Sequence, residues 1–201
     1  MKKLNLYRVE NRLALTGLKI FTVRDLKTMF KTGQRAAQAF LSYNVDKGAF
    51  IRLKAGVYAL AGRLPSEFTM ANRLYFPSYI SLDSALAYYH LIPETVYAVT
   101  SVTPKATREF KINNLAFDYR RIKKEAYAGY IPKIIADETV YIATPEKAVV
   151  DFLYYIFLGK REYNDRLRLK GLDFVRLKKY LKLFSQPKLI SFCEKLLNHR
   201  L

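Results

Sequence analysis

Apolar residues recur along this chain with two different periods, and the changes of period predict its elements. Over residues 4–15, Leu4, Leu6, Tyr7, Leu13 and Leu15 sit among charged neighbours in an imperfect helical spacing that Thr16-Gly17 closes. Thr22 is a good N-cap, and Val23, Leu26, Met29 and Phe30 form an i, i+3, i+6, i+7 stripe that predicts a helix over 23–30. Thr32-Gly33 reads as a short turn, with Thr32 as the cap of a third helix from Gly33 to Val45. In that helix Ala36, Ala37, Phe40, Leu41 and Val45 face inward, which leaves Gln34, Arg35, Gln38 and Ser42 outward. Asp46-Lys47-Gly48 ends it. The period then becomes two: Ala49-Phe50-Ile51-Arg52-Leu53-Lys54 alternates apolar and basic residues, Ala55-Gly56 turns, and Val57-Tyr58-Ala59-Leu60 returns, a predicted β-hairpin.

Pro65-Ser66 marks a boundary, followed by a short helix over 67–75. Ser81 is placed to cap a helix reaching His90, with Leu82, Ala85, Leu86 and Tyr89 buried. Period-two alternation and β-favouring residues predict strands over 96–102, 108–112, 116–123 and 130–135. Thr144 as N-cap, Pro145 at the first position and Glu146 in the first turn open a helix whose continuation, Ala148–Leu158, is apolar enough to be a core helix. Asp173 caps a helix over 174–184 with Phe174, Leu177, Leu181 and Phe184 on one face, and Pro187 starts a last one. The chain thus divides into 1–64, an α+β segment 65–159 with helices at its ends and strands between, and a helical extension 160–201 packing on it.

Charge sharpens this division. Residues 1–64 carry a net +10, residues 65–159 a net zero and residues 160–201 a net +8, which together make the +18 of the whole chain. A chain this basic favours a polyanion, because neutralising phosphates releases condensed counterions. Helix, short turn and helix followed by a basic hairpin, all on the +10 segment, is the order of a winged helix-turn-helix. The outward set Gln34, Arg35, Gln38 and Ser42 has base-reading chemistry, since Gln pairs bidentately with adenine and Arg with guanine in the major groove. Arg24, Lys27 and Lys31 lie off the stripe of the preceding helix, and Arg52 and Lys54 project from the wing toward phosphate or minor groove. In the extension, Arg176, Lys178, Lys179 and Lys182 form a second basic face: a polyanion or protein-partner surface, or simply a solvated one.

Catalytic patterns are sparse. There is no HExxH, no glycine-rich phosphate loop, a single cysteine, Cys193, and two distant histidines, His90 and His199, so neither metal nor cofactor is expected and the chain reads as non-enzymatic. Ser78, Ser81 and Ser84 near His90 read as capping and packing residues. Glu146 and Lys147 admit a metal-dependent nuclease only with a recruited acid such as Asp118, Asp137 or Glu138; pairing of Glu146 with the helix dipole is the simpler account. Asp151, inside the apolar helix, needs a partner, and Lys147 one turn earlier is the local candidate. The single cysteine suits the cytoplasm, Met1-Lys2-Lys3-Leu4 lacks the apolar run of a signal peptide, and Ala148–Leu158 is too short to span a bilayer.

Three motifs occur in order: Leu53-Lys54-Ala55-Gly56-Val57-Tyr58, Pro77-Ser78-Tyr79-Ile80-Ser81-Leu82-Asp83-Ser84-Ala85-Leu86, and Ala143-Thr144-Pro145-Glu146-Lys147-Ala148-Val149-Val150-Asp151. Together they resemble the AbiEi antitoxin family, regulators of abortive-infection systems. The resemblance implies an N-terminal winged helix-turn-helix that binds inverted repeats in double-stranded DNA upstream of a two-gene operon and represses it. It also implies a C-terminal domain that counteracts a nucleotidyltransferase-like toxin in phage defence. The second and third motifs look like fold signatures rather than contact residues, and the base-reading residues rest on position in the helix, since no motif specifies them. A stand-alone winged-helix regulator without a toxin is the alternative within the same class.

Overall fold

The computed structural model describes residues 4–198; Met1–Lys3 and His199–Leu201, the outer ends of the segments 1–64 and 160–201, lie outside the described residues. The chain forms two compact units, Met1–Ser66 and Glu67–Leu201, so the residues after 160 belong to the second. Both mix helix and strand, and the fold is α+β.

The first unit runs α1 (Leu6–Thr16), β1 (Ile20–Thr22), α2 (Val23–Phe30), α3 (Gln34–Asp46), β2 (Phe50–Lys54) and β3 (Val57–Leu60). The strands form an antiparallel sheet in the order β1-β3-β2. The Asn5 side chain caps α1 by accepting the Arg8 N–H, and Gly17, in the left-handed region, ends it. At α2 the cap is reciprocal: the Thr22 hydroxyl accepts the Asp25 N–H, and the Asp25 carboxylate accepts the Thr22 N–H at 2.7 Å. Val9, Leu13, Phe21, Leu26, Ala37, Leu41 and Phe50 meet in one core. Phe21 is its centre, edge-on to Phe50 at 5.4 Å and stacked on Tyr58 at 6.2 Å; burying such a ring stabilises by roughly 1.5–3 kcal/mol.

Three local expectations in this unit are corrected and one strand is added. The inward face of α1 is Val9 and Leu13, while Tyr7 and Leu15 stand in solvent. Residues 20–22 form a strand too short to show alternation, and its last residue doubles as the cap of α2. Gly33, not Thr32, is the N-cap of α3, with no side-chain bond, and Thr32 is buried. Ala36 is exposed, because the buried line of α3 runs through Ala37, Leu41 and Asn44.

The second unit comprises α4 (Glu67–Leu74), β4 (Tyr79–Ile80), α5 (Leu82–Tyr88), β5 (Ala98–Thr103), β6 (Arg108–Ile112), β7 (Leu115–Arg121), β8 (Tyr130–Ile135), β9 (Glu138–Ala143), α6 (Pro145–Phe157), α7 (Phe174–Lys182) and α8 (Pro187–Asn198). Its six-stranded sheet has the order β6-β7-β5-β4-β9-β8, with β4–β9 and β5–β7 parallel. α5 packs on β5 and α6, and α7 and α8 pack on α6. Two strands are additional to the four expected. β4 has only two residues. β9 follows β8 through Ala136-Asp137, both at positive φ (50° and 61°), a type I′ geometry without the usual Gly or Asn. Because β4 is so short, Asn72 completes the pairing of β9: the Tyr141 N–H donates to Asn72 Oδ1 at 2.7 Å, and Asn72 Nδ2 donates to the Tyr141 carbonyl at 3.3 Å.

α6 is buried from Glu146 to Tyr155. Within it Lys147 and Asp151, both fully buried, form an ion pair one turn apart. Tyr79 Oη and Ser81 Oγ donate to Asp151 Oδ2 at 3.0 and 2.8 Å, so Ser81, although at the N-cap of α5, bonds to α6 and not to its own helix. Lys147 Nζ also lies 5.2 Å from the Phe184 ring centroid and 5.8 Å from that of Tyr79. Gly129 packs here at φ +81°, where a Cβ would lie 2.7 Å from the Tyr180 ring and 3.0 Å from Lys147 Cγ. Burial pushes the Asp151 carboxyl above, and the Lys147 ammonium below, its ordinary range, while their pairing opposes both shifts.

Two predictions follow from this packing. Asp151→Ala leaves an ammonium sealed without a partner and is expected to cost about 3–5 kcal/mol in urea unfolding. The double change Lys147→Met with Asp151→Leu should cost less than the single one, and a single-variant loss below about 1 kcal/mol would show the network to be dispensable. The second concerns alkaline pH. Burial raises the phenols of Tyr79, Tyr119, Tyr127 and Tyr155, and takes Tyr89 to about 12. Unfolded tyrosine ionises near pH 10, so the unfolded chain releases these protons first. Stability is full below about pH 10 and falls as pH rises through the folded-state values. Ultraviolet titration of phenolate followed with circular dichroism should show these tyrosines ionising together with unfolding; their ionisation in the folded state near pH 10 would refute it.

Candidate nucleic-acid interface

In the first unit α2 and α3 pack together through a three-residue connection, Lys31–Gly33. Lys31 ends α2 in the left-handed region (φ 49°), with its N–H donating to the Lys27 carbonyl. α3 turns Ala37 and Leu41 into the core, and its buried Asn44 is satisfied by its own helix, Nδ2 donating to the Phe40 carbonyl at 2.7 Å. On the remaining circumference Gln34, Arg35, Gln38 and Ser42 are all exposed. They share that surface with Ala36, Ala39 and Tyr43. Tyr43 is 62% exposed, with Lys47 Nζ 5.8 Å from its ring centroid. Apart from position, nothing about an alanine or a tyrosine in a helix signals such a placement.

The cations around α3 differ in availability. Arg24 on α2, Lys31 at its end and Arg35 on α3 are exposed and carry no salt bridge among the described residues. Lys27 is half-buried near the C-terminus of α2, where it complements the helix dipole. On β2, Phe50 and Leu53 are buried, while Arg52 is exposed with its guanidinium 5.7 Å from the Tyr58 ring centroid. Lys54 is half-buried, beyond a register irregularity that separates it from Arg52. Chemically the unit offers amide and guanidinium groups on an open helix face, with ammonium and guanidinium groups on the helix before and the hairpin after it.

In the second unit the four basic residues of α7 are not equivalent. Lys178, Lys179 and Lys182 are exposed. Arg176 is engaged by Glu146 at 3.9 Å and by Asp173 at 3.8 Å, and its N–H is capped by the Asp173 carboxylate at 3.0 Å. Glu146 is itself buried and accepts the Asp173 N–H at 3.3 Å, so it ties the start of α6 to that of α7. Of the residues weighed for a nuclease, Lys147 is committed to Asp151, Asp118 pairs with Arg120 at 2.8 Å and Asp137 lies in the exposed hairpin turn. Among the described residues no three His, Cys, Asp or Glu side chains group so as to hold a metal ion. Cys193 is buried in α8, and burial pushes its thiol up to about 12.

No protein-family model matches the chain, and no curated protein does. Among the described residues no helix is long and apolar enough to cross a membrane.

Proposed function

We propose that this chain is a sequence-specific DNA-binding repressor acting in the cytoplasm, with the first unit as a winged helix-turn-helix. The observation that supports this most directly is the open face of α3, where Gln34, Arg35, Gln38 and Ser42 are exposed, with Arg24, Lys31 and Arg35 carrying no salt bridge among the described residues. In this reading α3 enters the major groove and reads base edges, while Arg24, Lys27, Lys31, Arg52 and Lys54 meet phosphates. The addition of β1 to the β2–β3 hairpin supports it too, since a wing anchored by a third strand leaves the base of α2 at a defined place. With the three motifs described above, the reading extends to an antitoxin of the AbiEi kind. Such a chain represses its own operon at inverted repeats and counteracts a nucleotidyltransferase-like toxin without catalysis of its own.

Fluorescence anisotropy of the full chain on its upstream DNA, against a scrambled duplex at several salt concentrations, tests the central claim. Preference for the native sequence that survives near-physiological salt is expected; equal, salt-labile binding to both would defeat it. Gln38→Ala should remove roughly 1–3 kcal/mol of discrimination at one base pair, whereas Lys54→Ala should weaken both duplexes alike and lower the salt slope by about 0.9. Co-expression with a neighbouring toxin gene, scored by rescue of growth, tests the antitoxin step separately.

A further inference from the structure

The turn after α4 and the edge strand β6 build a second surface, which the repressor reading does not use. Tyr75 and Phe76 follow α4 directly, Lys105 lies between β5 and β6, and Arg108 and Phe110 occupy alternate positions of β6. Lys105 Nζ donates to the Phe76 carbonyl oxygen at 2.7 Å and lies 5.5 Å from the Tyr75 ring centroid. The Arg108 guanidinium is 5.7 Å from the Tyr75 centroid and 5.0 Å from that of Phe110, and the two rings are 6.1 Å apart. Tyr75 and Phe110 are thus half-buried supports that orient the cations. Phe76 is different: the residue is 69% exposed.

The charge at this place is local. Segment 65–159 is neutral as a whole, yet neither Lys105 nor Arg108 has a carboxylate partner among the described residues. Glu109, between Arg108 and Phe110, belongs to the other face of the strand, where it meets Arg120 at 3.5 Å. Two oriented cations without counter-charge therefore adjoin an exposed flat ring whose own backbone one of them holds.

We propose that this surface binds an unpaired nucleotide of a single-stranded nucleic acid, its base stacked on Phe76 and the adjoining phosphates on Lys105 and Arg108. Every base has a π-face, so such stacking tolerates any sequence. A guanidinium lying over rings keeps its in-plane N–H donors for a phosphate. A duplex is a poor occupant, because its bases are stacked on one another and offer no face to Phe76. An acidic peptide would satisfy the charges and leave the ring without a flat partner.

The chain contains no tryptophan, so Phe76→Trp places a single indole at the proposed stacking position of the full-length protein. Titration with a short single-stranded DNA of mixed sequence should quench its emission, and the same strand as a duplex should not. Adding Lys105→Ala and Arg108→Ala should raise the concentration for half-quenching about tenfold and lower its salt slope by about 1.4, the value for two phosphates on a single strand. A strand that binds by anisotropy without quenching overturns the proposal. So does quenching that is indifferent to the two cations, or quenching by an Asp/Glu-rich peptide in place of the strand. Loss of operator preference with quenching intact would defeat the repressor reading and leave this one standing.

Discussion

A lysine and an aspartate sealed from water one turn apart in α6 are the constraint on which the second unit depends. Taking two charges out of water is unfavourable unless each finds partners, and the pair meets that demand by recruiting distant groups. Asp151 requires the hydroxyls of Tyr79 and Ser81, about seventy residues earlier, which draws β4 and the start of α5 onto α6. Lys147 requires the rings of Tyr79 and Phe184 and the close approach of Gly129, which brings in the end of α7 and the turn before β8. Tyr79 in turn stacks on Tyr130 at 4.6 Å, the first residue of β8. A β4 of two residues has little ladder to keep its place in the sheet; these side-chain bonds supply the remainder.

This dependence changes the meaning of the most chemically suggestive stretch of the chain. A run of glutamate, lysine and aspartate at a helix start invites a catalytic interpretation. Here each member has a structural commitment: Glu146 to the start of α7, Lys147 to Asp151, and Asp151 to two hydroxyls. The first unit uses polar groups in the opposite way. Of its buried polar side chains, Asn44 is satisfied by its own helix, while the amides of Gln34 and Gln38 stand exposed on the same helix. A polar residue without structural work, on a helix whose other side is fully committed, is where a partner can bind.

What was legible in the sequence is what local chemistry determines. Thr22, Thr144 and Asp173 read as caps because a capping side chain bonds three residues ahead, and all three do so. The same reasoning misplaces Ser81 and Thr32: the serine hydroxyl goes to Asp151, far away in the chain, and the threonine is buried beside a glycine cap. β1 and β4 are too short to express a period, and β9 was hidden by a turn lacking the residues that usually announce one. On α3 the exposure of Gln34, Arg35, Gln38 and Ser42 was legible because they lie off the apolar spacing of the helix. Ala39 and Tyr43 share the face without any such mark. The Lys147–Asp151 pair was legible from spacing alone, but not its partners.

Net charge, which first directs attention to the ends of the chain, is a weaker guide than the pairing state of each charge. The +8 of residues 160–201 includes Arg176, whose half-exposed guanidinium lies 3.9 and 3.8 Å from the carboxylates of Glu146 and Asp173, which offset part of its charge. The neutral segment 65–159 hides the reverse case: its acids pair with Arg120 and Lys147, while Lys105 and Arg108 have no carboxylate partner among the described residues. A phosphate approaching within about 10 Å at moderate salt responds to the local, unpaired charges, because more distant ones are screened. A segment of zero net charge can therefore present an anion-binding surface, and a strongly basic one can present less than its composition implies. The anion-binding surfaces proposed for this chain are therefore defined by the cations that lack a carboxylate partner among the described residues, and not by the net charge of the segments that carry them.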